Sequence, residues 1–65
     1  MKLANIREIK ISKHGVFHEY PKGTVFTVTD LGNHKYEFKA EDGFSFTYTY
    51  MRLDWYFKEV ENNVG

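Results

Sequence analysis

The chain contains no cysteine among its 65 residues. Disulfides and thiolate metal sites are therefore excluded, and the absence fits a reducing compartment. It also lacks an excess of charge of either sign, since nine basic and nine acidic residues cancel. A neutral chain has no electrostatic reason to wrap duplex DNA, whose binding is dominated by phosphate neutralisation. The same balance argues against a protein that imitates DNA by charge. No apolar run approaches the ~18 residues that cross a bilayer. Residues 1–7 carry an early lysine but no uninterrupted apolar region, so the expectation is a cytoplasmic protein without a signal peptide. Repeats, low-complexity runs and linkers are missing as well. One domain over residues 1–60 is expected, with a frayed polar tail over 61–65.

What is present in quantity is aromatic: six Phe, five Tyr and one Trp. A chain of this size buries only ~60% of its unfolded surface and needs large side chains to hold a core. The pattern places them. In Lys35-Tyr36-Glu37-Phe38-Lys39-Ala40, apolar and charged residues alternate, and in Phe44-Ser45-Phe46-Thr47-Tyr48-Thr49-Tyr50 aromatics alternate with hydroxyl residues. Period two marks strands with one buried face. Asp42-Gly43 between them is a hairpin signal. A loop over 41–43 pairs Ala40 with Phe44, Phe38 with Phe46 and Tyr36 with Tyr48. Residues 24–29 read as the preceding strand. A turn centred on Gly32 then pairs Val28 with Tyr36 and Phe26 with Phe38. Phe26, Val28, Tyr36, Phe38, Phe46 and Tyr48 thus form the inner wall of a three-stranded meander. Thr27, Thr29, Lys35, Glu37, Lys39, Ser45, Thr47 and Thr49 form its wet face.

The ends are less regular. Residues 7–11 read as a first strand with Ile9 and Ile11 buried, while Leu3 and Ile6 could equally start a short helix. A long loop over 12–23 follows. Residues 51–54 read as one helical turn, and 55–60 as a last strand. The fold class expected is mainly β: a small five-stranded barrel with one short helical turn before the last strand, since closure removes exposed edges. The order resembles an SH3-like barrel. The likeness rests on Tyr20-Pro21-Lys22-Gly23-Thr24-Val25-Phe26, on Asp42-Gly43, and on Met51-Arg52-Leu53-Asp54-Trp55. It is topological, with an OB-like barrel as the alternative. The aromatic pair and late Pro-Tyr of Pro-rich-peptide binders are missing. In size and style the chain also resembles small proteins that bacteriophages encode, which implies an inhibitor or adaptor acting on a host protein.

Catalysis has little support. There is no Cys, and neither Ser12 nor Ser45 sits in a nucleophile elbow. Asp30 and Asp42 read as turn residues. The glycines stand alone, so no phosphate loop forms. His14 and His18 are spaced as a metal pair, but Gly15 and Pro21 disfavour the helix that would align them. Two surface histidines are the simpler reading, because zinc needs three or four ligands. No cofactor, metal or catalytic residue is expected.

Binding is the stronger expectation. The SH3-like resemblance brings the long loop and the helical turn together as a groove, which places a protein-binding surface at Phe17, Tyr20, Tyr50, Trp55 and Tyr56. Tyr and Trp dominate interface hot spots. Trp55 could equally plug the barrel. The expected partner is a larger protein that the module docks on and modulates. The rival is an RNA or single-stranded nucleic-acid barrel using Lys10, Lys13, His14, Lys22, Lys35 and Lys39. That requires rings and lysines on one face, whereas in the meander they alternate. A homodimer covering Val25, Tyr56 and Val60, apolar residues out of phase with their strands, is the third possibility.

Overall fold

A computed structural model describes residues 1–60. It is mainly β: strands β1 (Lys2–Asn5), β2 (Ile9–Lys13), β3 (Val16–Tyr20), β4 (Val25–Gly32), β5 (Lys35–Ala40) and β6 (Ser45–Thr49), a single 3-10 turn (Leu53–Trp55), and β7 (Phe57–Glu59). Five strands form one sheet in the order β6-β5-β4-β1-β7, and β2-β3 form a separate hairpin. The sheet is open, with β6 and β7 as its edges, so the closed five-stranded barrel expected from the sequence is not what is seen. The tail expected over 61–65 lies outside the described residues.

The meander forms as its alternation dictates. Phe38 faces Phe46 and Tyr36 faces Tyr48 across β5–β6, in the expected register. Asp42 and Gly43 make the turn. Asp42 Oδ1 accepts from the Phe44 N–H at 2.9 Å, and Gly43 takes φ 91°. Across β4–β5 the register differs from the expected one by two residues: Val28 pairs with Phe38, and Phe26 with Ala40. The turn is Asn33-His34, both at positive φ, and the strands slip a residue between Asp30 and Gly32. An even shift keeps every side chain on its face. Phe26, Val28, Phe38 and Phe46 are therefore buried as expected.

The N-terminal third corrects the sequence reading. The first strand is Lys2–Asn5, hydrogen-bonded to β4 on one side and β7 on the other. Ile9 and Ile11 belong instead to the hairpin and are half-buried. The expected long loop is that hairpin: Ile9 pairs with Tyr20 and Lys13 with Val16. His14-Gly15 closes it, with φ of 53° and 76°. Positive φ at both positions suits the right-handed twist of the strands.

The inner face of the hairpin folds over the meander. Leu3, Tyr20, Phe26, Val28, Phe38, Ala40, Phe46 and Phe57 make one buried cluster, with Ile9, Ile11, Tyr36, Phe44, Tyr50 and Leu53 packed around it. Phe26 is its centre. Its ring meets those of Tyr20, Phe38, Phe46 and Phe57 edge-on, at centroid distances of 5.2–6.1 Å. Asn5 is the one buried polar residue among those described. Its Nδ2 donates to the Tyr20 carbonyl at 3.1 Å, and its backbone bonds Thr24 and Gly23. The β3–β4 connection is thereby fixed to β1.

Candidate aromatic groove

The last strands leave rings that the core does not absorb. Tyr48 was expected in the inner wall but is 57% exposed. It sits near the end of an edge strand, beyond the reach of the hairpin tip. Trp55 is 55% exposed, which decides against a barrel plug. Tyr56 is also exposed, and Tyr50 half-buried. Tyr50 joins the set, with its ring centroid 4.8 Å from Tyr48 and 5.4 Å from Tyr56. Burial first, then the neighbouring phenols of Tyr48 and Tyr56, push its pKa up to about 12.

Together these side chains line a groove enclosing about 450 Å³. One bank is β6 and the 3-10 turn, with Phe46, Tyr48, Thr49, Tyr50, Met51, Arg52, Trp55 and Tyr56. The other is residues 8–11, where Ile9 and Ile11 turn their aliphatic side chains inward. Three contacts, two from Arg52 at the start of the 3-10 turn and one from Arg7, position Trp55. Trp55 N–H donates to the Arg52 carbonyl at 3.4 Å, and its own carbonyl accepts from Arg7 Nε at 3.2 Å. The Arg52 guanidinium lies 5.3 Å from the indole centroid, a cation–π arrangement.

The charges of the groove close on each other. Arg52 grips Asp54 with two bonds, of 3.2 and 2.8 Å, which raises the guanidinium and lowers the carboxyl pKa. Lys10 and Glu8 lie 3.6 Å apart.

Of the five aromatics expected at a contact surface, the structure brings Tyr50, Trp55 and Tyr56 together. Two are corrected. Tyr20 is buried, because the hairpin carries it onto Phe26. Its hydroxyl reaches Asp42 Oδ2 at 3.3 Å, and burial, then that carboxylate, raise its pKa. Phe17 is exposed, but it stands on the outward face of β3, paired across to Ser12, away from the groove. Residues missed by sequence reasoning are Ile9, Ile11, Tyr48, Met51 and Arg52. A His-Gly turn between two alternating runs was the available signal for the first pair.

The lysines separate. Lys10 and Lys13 lie on opposite faces of β2, because Lys13 shares the inward phase of Ile9 and Ile11. Lys13 Nζ lies 5.5 Å from the Phe44 centroid and donates to the Ser45 carbonyl at 3.3 Å. Lys35 and Lys39 share the outer face of β5 with Glu37 between them. Lys22 is in the β3–β4 connection. His14 is at the hairpin turn, and His18 stacks on Phe44 at 3.7 Å. Among the described residues no three His, Asp or Glu side chains converge as metal ligands. Of the residues suggested for a homodimer, Val25 and Val60 are half-buried within the chain, and Tyr56 belongs to the groove. Among the described residues, no helix is long and apolar enough to cross a membrane. Comparison with known proteins finds no matching family, no similar curated protein and no similar solved structure.

Proposed function

We propose that the chain is a non-enzymatic protein-binding module that docks on a larger protein through the aromatic groove and modulates it. The observation that carries this reading is the exposure of Tyr48 and Trp55 on the wall of one groove with Tyr50 and Tyr56. Exposed rings gathered at one place are an interaction signature, whereas rings scattered singly are not. We read the order of elements as SH3-like, with the β2–β3 hairpin in the place of the long loop and the groove between that hairpin and the 3-10 turn. Nucleic acid is the less supported partner, because Lys10 and Arg52 at the groove are paired to Glu8 and Asp54. The test is affinity capture from the native host's lysate with and without nuclease. One stoichiometric protein surviving nuclease, and lost with Trp55→Ala, supports the reading. Recovery that disappears with nuclease moves the lysines to first place.

A further inference from the structure

The edge of the sheet beside the groove has a row of unused backbone groups. Ala40 N–H donates to the Phe44 carbonyl, and Tyr50 N–H to the His34 carbonyl, both at 2.9 Å. Bonded and non-bonded pairs alternate along an antiparallel ladder. With Phe38 opposite Phe46 and Tyr36 opposite Tyr48, it follows that Phe46 and Tyr48 turn their amides toward β5. Ser45, Thr47 and Thr49 turn theirs outward. Only the Ser45 carbonyl meets a partner among the described residues, the ammonium of Lys13. Natural edges are usually blunted by charge, proline or a bulge. The strand Ser45-Phe46-Thr47-Tyr48-Thr49 has no charged residue and no proline, and its ladder runs without a register shift.

This edge and the groove occupy the same side of the molecule. Phe46, Tyr48 and Thr49 of β6 line one bank, and residues 8–11 line the other. No ladder joins β2 to β6. Lys13 bridges the two strands at one end, and the opening lies toward Ile9 and Tyr50. The space is therefore an open seam between two strands.

We infer that an extended, uncharged segment of the partner adds to β6 as a further strand, bonding Thr47 and Thr49 and placing alternate side chains in the groove. This rests on the protein-binding reading above and specifies its partner. Backbone complementarity selects an extended chain, as in other strand-addition sites. The ion pairs Glu8–Lys10 and Arg52–Asp54 match the charged side chains that line the groove, Glu8, Lys10 and Arg52, which favours an uncharged segment. A second copy of this chain fits less well. Its β6 would bring its own β5 behind it, toward the hairpin that Lys13 holds against Ser45.

The test uses the full chain. Random peptides of about seven residues, roughly a strand's length, are displayed and panned against it. The enriched peptides are then synthesised and their affinities measured. Thr47→Pro removes an amide that the ladder does not use, so the fold tolerates it while the edge is blocked. The expected result is uncharged peptides rich in β-branched and aromatic residues, weakened about tenfold or more by Thr47→Pro, the loss of one or two main-chain bonds. Trp55→Ala weakens them as well. Methylating alternate peptide amides should abolish binding in one phase and spare it in the other, which needs no variant of the protein to fold. Binding that survives Thr47→Pro and both methylation phases, yet falls with Trp55→Ala, overturns strand addition and keeps the docking groove. Failure to enrich any peptide overturns this inference, and the docking reading is then judged by host capture alone. A dimer in solution that Thr47→Pro dissolves names a second copy as the occupant and overturns the assignment.

Discussion

Arg7 Nε donates to the carbonyl of Trp55 at 3.2 Å, so the segment between β1 and β2 holds the 3-10 turn that presents the indole. The same guanidinium lies 6.0 Å from the Tyr56 ring centroid. One side chain, next in sequence to the 8–11 bank, thus contacts both Trp55 and Tyr56 of the other bank. Arg7→Ala should leave the melting temperature almost unchanged, because an exposed bond of this kind contributes about 0.5–1 kcal/mol. Affinity for the captured partner should fall about two- to fivefold. Paired calorimetry and binding measurements check this. A large loss of stability with no change in affinity would assign Arg7 to folding alone.

Tyr50 should ionise well above the ordinary tyrosine range. Its pKa is raised to about 12, by burial and then by the phenols of Tyr48 and Tyr56. An unfolded tyrosine titrates near 10. The sign follows: the unfolded chain loses this proton first, so the stabilisation is complete below about pH 10 and is lost as pH rises toward about 12. Ultraviolet titration of tyrosinate absorbance should show a late phase that Tyr50→Phe removes. Tyr50→Phe should also flatten the loss of stability over that alkaline window.

Asn5 holds the β3–β4 connection through its Nδ2 bond to Tyr20, in a site only 1% exposed. Its Oδ1 has no partner among the described residues. Asn5→Ala should cost about 1–3 kcal/mol in urea unfolding, the penalty for a buried carbonyl left without its donor. Asn5→Asp offers a sharper outcome. A buried carboxyl facing a carbonyl has its pKa raised, so the protonated form fits the fold and can still donate. The variant should be most stable below about pH 4 and lose stability as pH rises through the unfolded value of about 3.9. The parent has no such acid optimum at this site.

Phe26 is fully buried and touches four rings. Phe26→Ala should cost about 3–5 kcal/mol. A chain of this length has about 3–10 kcal/mol in total. The variant should therefore be largely unfolded at 37 °C by circular dichroism. Phe17→Ala, at a 75% exposed ring outside the core, should melt with the parent.

The meander was legible because local signals agreed: strict alternation over Lys35–Ala40, Asp42-Gly43 as the turn, and aromatics that fall on one face in the resulting register. The β4–β5 register was off by two because Gly32 belongs to the irregularity beside the turn, and Asn33-His34 form the turn itself. The hairpin was missed because His14-Gly15 is an unusual pair for two positive φ values, though His tolerates that region better than most residues. That error carried into the site. Tyr20 was placed on the surface because its strand was read as a loop. Tyr48 was placed in the core because period two gives the face of a strand but not whether another element covers it. Trp55 and Tyr56 lay close to a turn that the sequence marked within two residues, and the groove could be anticipated from them.

The most direct test of the proposed docking groove is photocrosslinking in lysate of the native cell, with p-benzoylphenylalanine in place of Trp55 and, separately, in place of Thr29 on the outer face of β4. A single protein crosslinked from position 55 and not from position 29 is the predicted result. Crosslinking from position 29 alone, or equally from both, would contradict a groove-centred interface and move the contact surface to the outer face of the sheet.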